Sequence, residues 1–137
     1  MKFWDSSAII PLLVEQKFSE RSSDTLIEDP AIVVWWGTSI ECVSAISRLE
    51  REHVICDEEA DQIITRLNTL RETWREIQPA TKLKQIAERI LRVHALKAQD
   101  AQQLAACILA NSDIKIPFIT FDDNLTSAAK KEGLELV

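Results

Sequence analysis

Residues 31–51 read AIVVWWGTSIECVSAISRLER. The first six, 31–36, are apolar without interruption, which fits a short strand buried on both faces. Gly37 ends the run, and Thr38 or Ser39 can cap a helix over 40–51. Glu41 falls in the first turn of that helix, where the helix dipole favours a carboxylate. The same strand-to-helix step recurs on either side. Residues 2–5 read as a strand ending at Asp5, with Ser6 or Ser7 as cap of a helix that carries Ile9, Ile10, Leu12 and Leu13. Pro11 lies inside that helix and predicts a local distortion. Residues 117–121 form a further strand, Asp122 follows, and a helix is expected over 125–131. Between these lie helices over 57–70, over 82–93 and from 99 or 100 to 111, and a short strand over 74–78. Gly133 precedes a last short strand, 134–137. Strands alternating with helices predict an α/β fold, a three-layer α/β/α arrangement around a mostly parallel sheet of four to five strands.

The chain of 137 residues suits one domain, 1–137, with one core. Its hydrophobic share of 46% and charged share of 28% are those of a folded globular protein rather than a disordered one. No apolar run approaches the roughly 18–20 residues that span a bilayer. The opening MKFWDSS lacks the apolar region of a signal peptide, so a cytoplasmic protein with no membrane association is expected. Cys42, Cys56 and Cys107 form no CxxC pair and have no histidine at ligand spacing, which argues against zinc. The net charge of −6 argues against strong non-specific binding to nucleic acid.

Four acids stand where strands run out or helices begin: Asp5, Glu41, Asp100 and Asp122. In an open parallel sheet the ligand crevice lies outside the carboxyl ends of the strands, so acids delivered there from distant parts of the chain converge. Clustered carboxylates raise one another's pKa unless a cation sits among them. An all-oxygen set suits a hard divalent ion such as Mg²⁺ or Mn²⁺. Asp100 also stands within about 80° of Leu104 and Ile108 on the helical wheel, close to a core-facing arc. The acidic run at 57–61 reads instead as a solvated helix start.

In four places the chain resembles PIN domains. WDSSAIIPLLVEQ is similar to the opening motif, with Asp5 at the end of the first strand. TSIECVSAISRLE is similar to the second, with Glu41, Ser44, Ala45 and Arg48. LKAQDAQQLAACIL is similar to the third, with Asp100, Ala101, Leu104 and Ala105. FITFDDNLTSAAKKEGLELV is similar to the last, with Thr120 and Asp122. All four occur in order, and the short form looks most like VapC-type toxins. The resemblance implies Mg²⁺-dependent hydrolysis of RNA, with Mn²⁺ as a possible substitute and Asp5, Glu41, Asp100 and Asp122 as catalytic metal ligands. Ser7, Thr120 and Asp123 are candidates to support the ligands. It also implies a cognate antitoxin and a homodimer, with contacts expected from helices between residues 9 and 70. Ile63, Leu67 and Leu70 recur there at helical spacing, which fits packing against a partner, although a core role is the default reading. Within the family, the alternative is a nuclease of RNA processing without an antitoxin.

Contacts to RNA need positive charge. The stretch 82–97 holds Lys82, Lys84, Arg89, Arg92 and Lys97 against the single acid Glu88. Arg89 and Arg92 are candidate substrate contacts, with a solvated helix face as the alternative. Arg48 lies two helical turns beyond Glu41 and is a third candidate. Of Trp35 and Trp36, one is expected in the core and the other is free to stack on a base. A receiver-like signalling domain that binds Mg²⁺ is a rival outside enzymes. It needs an acidic pair at the first strand and a lysine after a late one, whereas Lys115 precedes PFIT here.

Overall fold

The computed structural model describes residues 1–137, in the order β1 (Lys2–Trp4), α1 (Ser6–Leu13), α2 (Ser19–Glu28), β2 (Ile32–Trp35), α3 (Thr38–Arg51), α4 (Asp57–Arg71), β3 (Arg75–Ile77), α5 (Thr81–Val93), α6 (Ala98–Ala110), β4 (Phe118–Ile119) and α7 (Asp123–Lys131). The four strands form one parallel sheet in the order β3-β2-β1-β4. Phe3 of β1 sits opposite Val33 on one side and Phe118 on the other. All carboxyl ends therefore lie along one edge, where Asp5 and Trp36 follow directly.

Side chains alternate across the sheet, as the strand period of two requires. Phe3, Val33, Trp35 and Phe118 pack into a core with α5, α6 and α7. Trp4, Ile32, Val34 and Ile119 pack into a second core with α1, α3 and α4. The two cores and the sheet between them make the expected three-layer α/β/α architecture. No helix is long and apolar enough to cross a membrane.

Several local expectations change. The helix α2 was not foreseen, because its sequence SERSSDTLIE has no apolar stripe. It buries Ser19, Ser22 and Thr25 instead, and Ser22 Oγ donates to the carbonyl of Ala8 at 3.0 Å. Small hydroxyl residues let α2 approach α1 closely without a hydrophobic signature. The cap of α3 is Gly37, with no side-chain cap bond, while Thr38 and Ser39 lie buried inside the first turn. Asp5 itself caps α1, accepting from the amide of Ser7 at 3.3 Å. Pro11 stands inside α1, and the helix stops two residues later at Leu13. The strand expected over 134–137 reduces to one parallel bridge between Phe118 and Leu136. Ile63 and Leu67 take the core role that is their default reading, and Leu70 alone of the three is left partly exposed for a partner. His94 Nε2 lies 2.7 Å from Glu132 Oε1, and Arg89 donates to both Glu132 oxygens at 3.0 and 2.9 Å. That ion cluster ties the end of α5 to the end of α7.

Gly37 joins β2 to the helix that carries Glu41, and it does so under a tryptophan. A Cβ at this position would stand 2.6 Å from Trp35 Nε1. Trp35 is buried and cannot simply swing away. Gly37→Ala is therefore expected to destabilise the protein by about 1–3 kcal/mol, the usual cost of overpacking. A lower urea midpoint at unchanged slope would show it, and an unchanged midpoint would contradict the tight approach described.

Candidate active site

Asp5 leaves the middle of the sheet as a buried carboxylate, 3% exposed. Its Oδ2 is fully occupied. Ser7 Oγ donates to it at 2.6 Å, Thr120 Oγ1 at 2.9 Å and the Ser7 amide at 3.3 Å. These hydroxyls are held in turn, since Ser7 Oγ accepts from the Phe121 amide at 2.9 Å and Thr120 Oγ1 from the Asp122 amide at 3.2 Å. The other oxygen, Oδ1, has only Ser6 Oγ at 3.4 Å. A serine hydroxyl has a single proton, and Ser6 spends it on Glu41 Oε2 at 2.7 Å. Oδ1 is left without an effective donor.

Glu41 follows the same pattern. Its Oε2 accepts from Ser6 and from Gln103 Nε2, the latter at 3.0 Å, and its Oε1 has no partner. Asp122 caps α7 with Oδ1, which accepts from the Leu125 amide at 2.7 Å, and Oδ2 is unpaired. Asp100, in the first turn of α6, makes no side-chain hydrogen bond. Trp4 Nε1 is the only fully buried side-chain nitrogen or oxygen that lacks a partner. The unpaired oxygens of Glu41, Asp100 and Asp122 are thus open to solvent rather than sealed in the core.

Asp5, Glu41, Asp100 and Asp122 line one cleft of about 380 Å³, together with Ser6, Ser7 and Arg48. Burial raises the pKa of Asp5, against the lowering effect of the Ser7 and Thr120 hydrogen bonds. Burial also raises Glu41; the Ser6 and Gln103 hydrogen bonds oppose it, and the charges of Asp5 and Asp100 add to it. Asp100 is raised by burial first and then by the charges of Asp122 and Asp5, with Lys97 opposing. The thiol of Cys42, beside Glu41, is pushed up to about 12, chiefly by burial. It is inert as a nucleophile or soft metal ligand at neutral pH. Arg48 is exposed and enters none of the ion pairs of the structure.

No three acidic, histidine or cysteine side chains stand together as a ready-made metal cluster. The donor set nevertheless fits a hard cation that keeps its water. Mg²⁺ is commonly held by one or two carboxylates with several waters in between, and a cleft with an open oxygen on each wall suits that mode better than a tight cage.

The other candidates divide between the cleft and the surface around it. Thr120 and Ser7 both touch Asp5. Asp123 is exposed at the first position of α7 and faces a separate pocket beside Phe121 and Lys130. Arg89 is engaged by Glu132, and neither Arg89 nor Arg92 lines the cleft. Trp35 is buried and Trp36 is 45% exposed. Trp36, Pro79, Lys84 and Leu91 border a second groove of about 610 Å³, completed by Ala98 and Gln102 of α6. The first turn of α6 separates this groove from the acidic cleft. Ser6 and Gln103 contact the site and escaped the sequence reading. The available signal was a polar residue three positions after Asp100, on the same face of the Ala-rich helix.

Fold and cleft together define an α/β protein with an acid-lined crevice at the carboxyl edge of its sheet. The family model described as the PIN domain matches residues 2–131, and the chain belongs to the PIN domain family. Solved structures share the fold at low identity. A toxin–antitoxin complex from Klebsiella pneumoniae matches with a TM-score of 0.63 and 17% identity over 90% of this chain and 89% of the other. The VapC20 toxin of Mycobacterium tuberculosis, which cleaves the sarcin-ricin loop, matches with a TM-score of 0.68 and 17% identity over 93% and 95%. No curated protein sequence matches significantly.

The raised Asp5 makes a pH-dependent expectation for the metal-free protein. Below the ordinary carboxylate range Asp5 is protonated both folded and unfolded, and its burial carries no charge penalty. As pH rises through the raised folded value, the folded state must accept a buried charge and loses stability. Asp5→Asn has no such loss. The melting temperature of Asp5→Asn minus that of the wild type should therefore increase from pH 4 to pH 7 in chelator. A difference that shrinks with pH would contradict the assigned direction.

Proposed function

We propose that this protein is a metal-dependent endoribonuclease, with Asp5, Glu41, Asp100 and Asp122 as the residues that hold Mg²⁺, or Mn²⁺ in its place. The observation that carries the reading is the cleft itself. Four acids from both ends and the middle of the chain line it, and at least one oxygen of each lacks an effective donor. Hydrogen bonds that occupy one oxygen of a carboxylate and spare the other are how protein sites orient ligands toward a cation. A divalent ion held there supplies an activated water and offsets charge on the phosphate.

The chain's own residues support hydrolysis without a covalent intermediate. No serine–histidine or cysteine–histidine pair lines the cleft. Ser7 and Thr120 hold Asp5, and Ser6 holds Glu41, so these hydroxyls are committed to orientation. Arg48 is the one cation lining the cleft and has no carboxylate partner, which suits it to a substrate phosphate. Trp36 stands at the same sheet edge, exposed enough to stack on an unpaired base.

The fold shared with a toxin–antitoxin complex and with a toxin that cleaves RNA favours a toxin role over RNA processing. In this reading an antitoxin segment bearing arginine or lysine lies across the acidic cleft and competes with the cation. The protein acts as a homodimer, its partner contacts drawn from exposed apolar residues such as Ile27, Ile40 and Val43 rather than from Ile63 and Leu67.

Purified protein incubated with total RNA should cut it with Mg²⁺ and leave it intact in chelator. Asp100→Asn should reduce the rate about 100-fold or more while keeping a cooperative melt. Arg48→Ala should raise KM about tenfold, as expected for loss of a charged hydrogen bond, with a smaller change in kcat. RNA cleavage that persists in Asp100→Asn would sink the mechanism. Expression in a bacterial host should arrest growth, with relief on co-expression of a cognate antitoxin; harmless expression of the active enzyme would point to RNA processing instead.

A further inference from the structure

Gln103 is the only glutamine in the interior, with 0% exposure in the middle of α6. A buried amide needs partners for every donor it carries. Its two Nε2 protons have two acceptors: Glu41 Oε2 at 3.0 Å and Thr38 Oγ1 at 3.1 Å. Thr38 is itself wholly buried, and its hydroxyl lies 3.5 Å from Gln103 Oε1. The amide is thus clamped between the first turn of α3 and α6. Its orientation is decided by the chemistry, because the flipped amide would set its oxygen against the Glu41 carboxylate.

The packing alone does not call for a glutamine. Its neighbours in α6, Ala101, Leu104, Ala105, Ala106 and Cys107, are buried in an apolar core. Leucine or methionine would fill comparable volume there without a polar group to satisfy. What glutamine adds is a donor aimed at one particular oxygen of Glu41. Ser6 donates to that same oxygen from α1. Two donors from two elements hold Oε2, and Oε1 is the oxygen left facing the cleft.

We infer that Gln103 is a positioning residue of the catalytic cleft, which with Thr38 fixes the Glu41 carboxylate so that Oε1 is presented to the divalent cation. The inference rests on the metal-dependent reading of the cleft and deepens it. Gln103 touches neither cation nor substrate; it acts through Glu41.

The test follows Mn²⁺ binding by the metal-induced rise in melting temperature, with RNA cleavage measured in parallel, for wild type, Gln103→Met, Thr38→Val, Glu41→Gln and the double variant of Gln103→Met with Glu41→Gln. Gln103→Met should keep the metal-free fold by circular dichroism and need about tenfold or more Mn²⁺ for the half-maximal shift. Thr38→Val should move the midpoint the same way by less. The double variant should bind no more weakly than Glu41→Gln alone, because the two changes remove one interaction. Gln103→Met that titrates like wild type, or effects that add in the double variant, would overturn the assignment. Should Gln103→Met fail to fold, Thr38→Val carries the test, and a wild-type midpoint in it overturns the clamp. A wild-type protein that neither binds Mn²⁺ nor cleaves RNA would overturn the nuclease reading itself, whereas wild-type binding with an unaffected Gln103→Met removes only the role of Gln103.

Discussion

The rest of the structure depends on a buried carboxyl group at the centre of the sheet. Asp5 follows β1, which is flanked on both sides by parallel neighbours, and its backbone amide still donates to Ile119 at 3.0 Å. A carboxylate in that position is costly unless donors meet it. They come from both ends of the chain, Ser7 beside it and Thr120 across the β1–β4 pair. The Phe121 amide then closes on Ser7 Oγ. One carboxylate oxygen therefore fastens the first strand to the last, caps α1 and aligns the turn that delivers Asp122. The core can close around Asp5 only when the start and the end of the chain have met.

This arrangement divides three of the four acids into a structural half and a chemical half. The occupied oxygen of Asp122 starts a helix, that of Asp5 joins strands, and that of Glu41 links α3 to α1 and α6. The opposite oxygens belong to residues that line the cleft. Fold and site are therefore not separable at these residues. A substitution that keeps the hydrogen-bonding half, such as aspartate to asparagine, is the sharper probe of chemistry than truncation to alanine.

Much of this was legible in the sequence. The apolar runs at β1, β2 and β4 and the acids after them are strong signals, because buried parallel strands and crevice ligands leave contiguous marks in a chain. The four family motifs then place the acids in order. What stayed hidden has a common cause: contacts that depend on smallness or on a remote partner. The helix α2 packs through Ser22 and Thr25, residues that composition assigns to loops. The capping role of Gly37 follows from its place under Trp35 rather than from hydrogen-bonding chemistry. Gln103 finds its partners in α3, 62 and 65 positions away, and no local period announces them. The basic character of 82–97 was visible, but the engagement of Arg89 by Glu132 was not.

The charge layout has a consequence for ionic strength. The molecule carries a net charge of −6, its cleft is walled by acids, and one of its few clustered cations, Arg89, is neutralised by Glu132. Any polyanion approaching this surface meets a repulsive far field, with Arg48 acting only at short range. Added salt screens the repulsion over roughly 10 Å at 0.1 M while leaving contacts inside the cleft less affected. Encounter with a nucleic acid is thus eased by moderate salt, the reverse of the behaviour of proteins that draw nucleic acid in through basic surfaces.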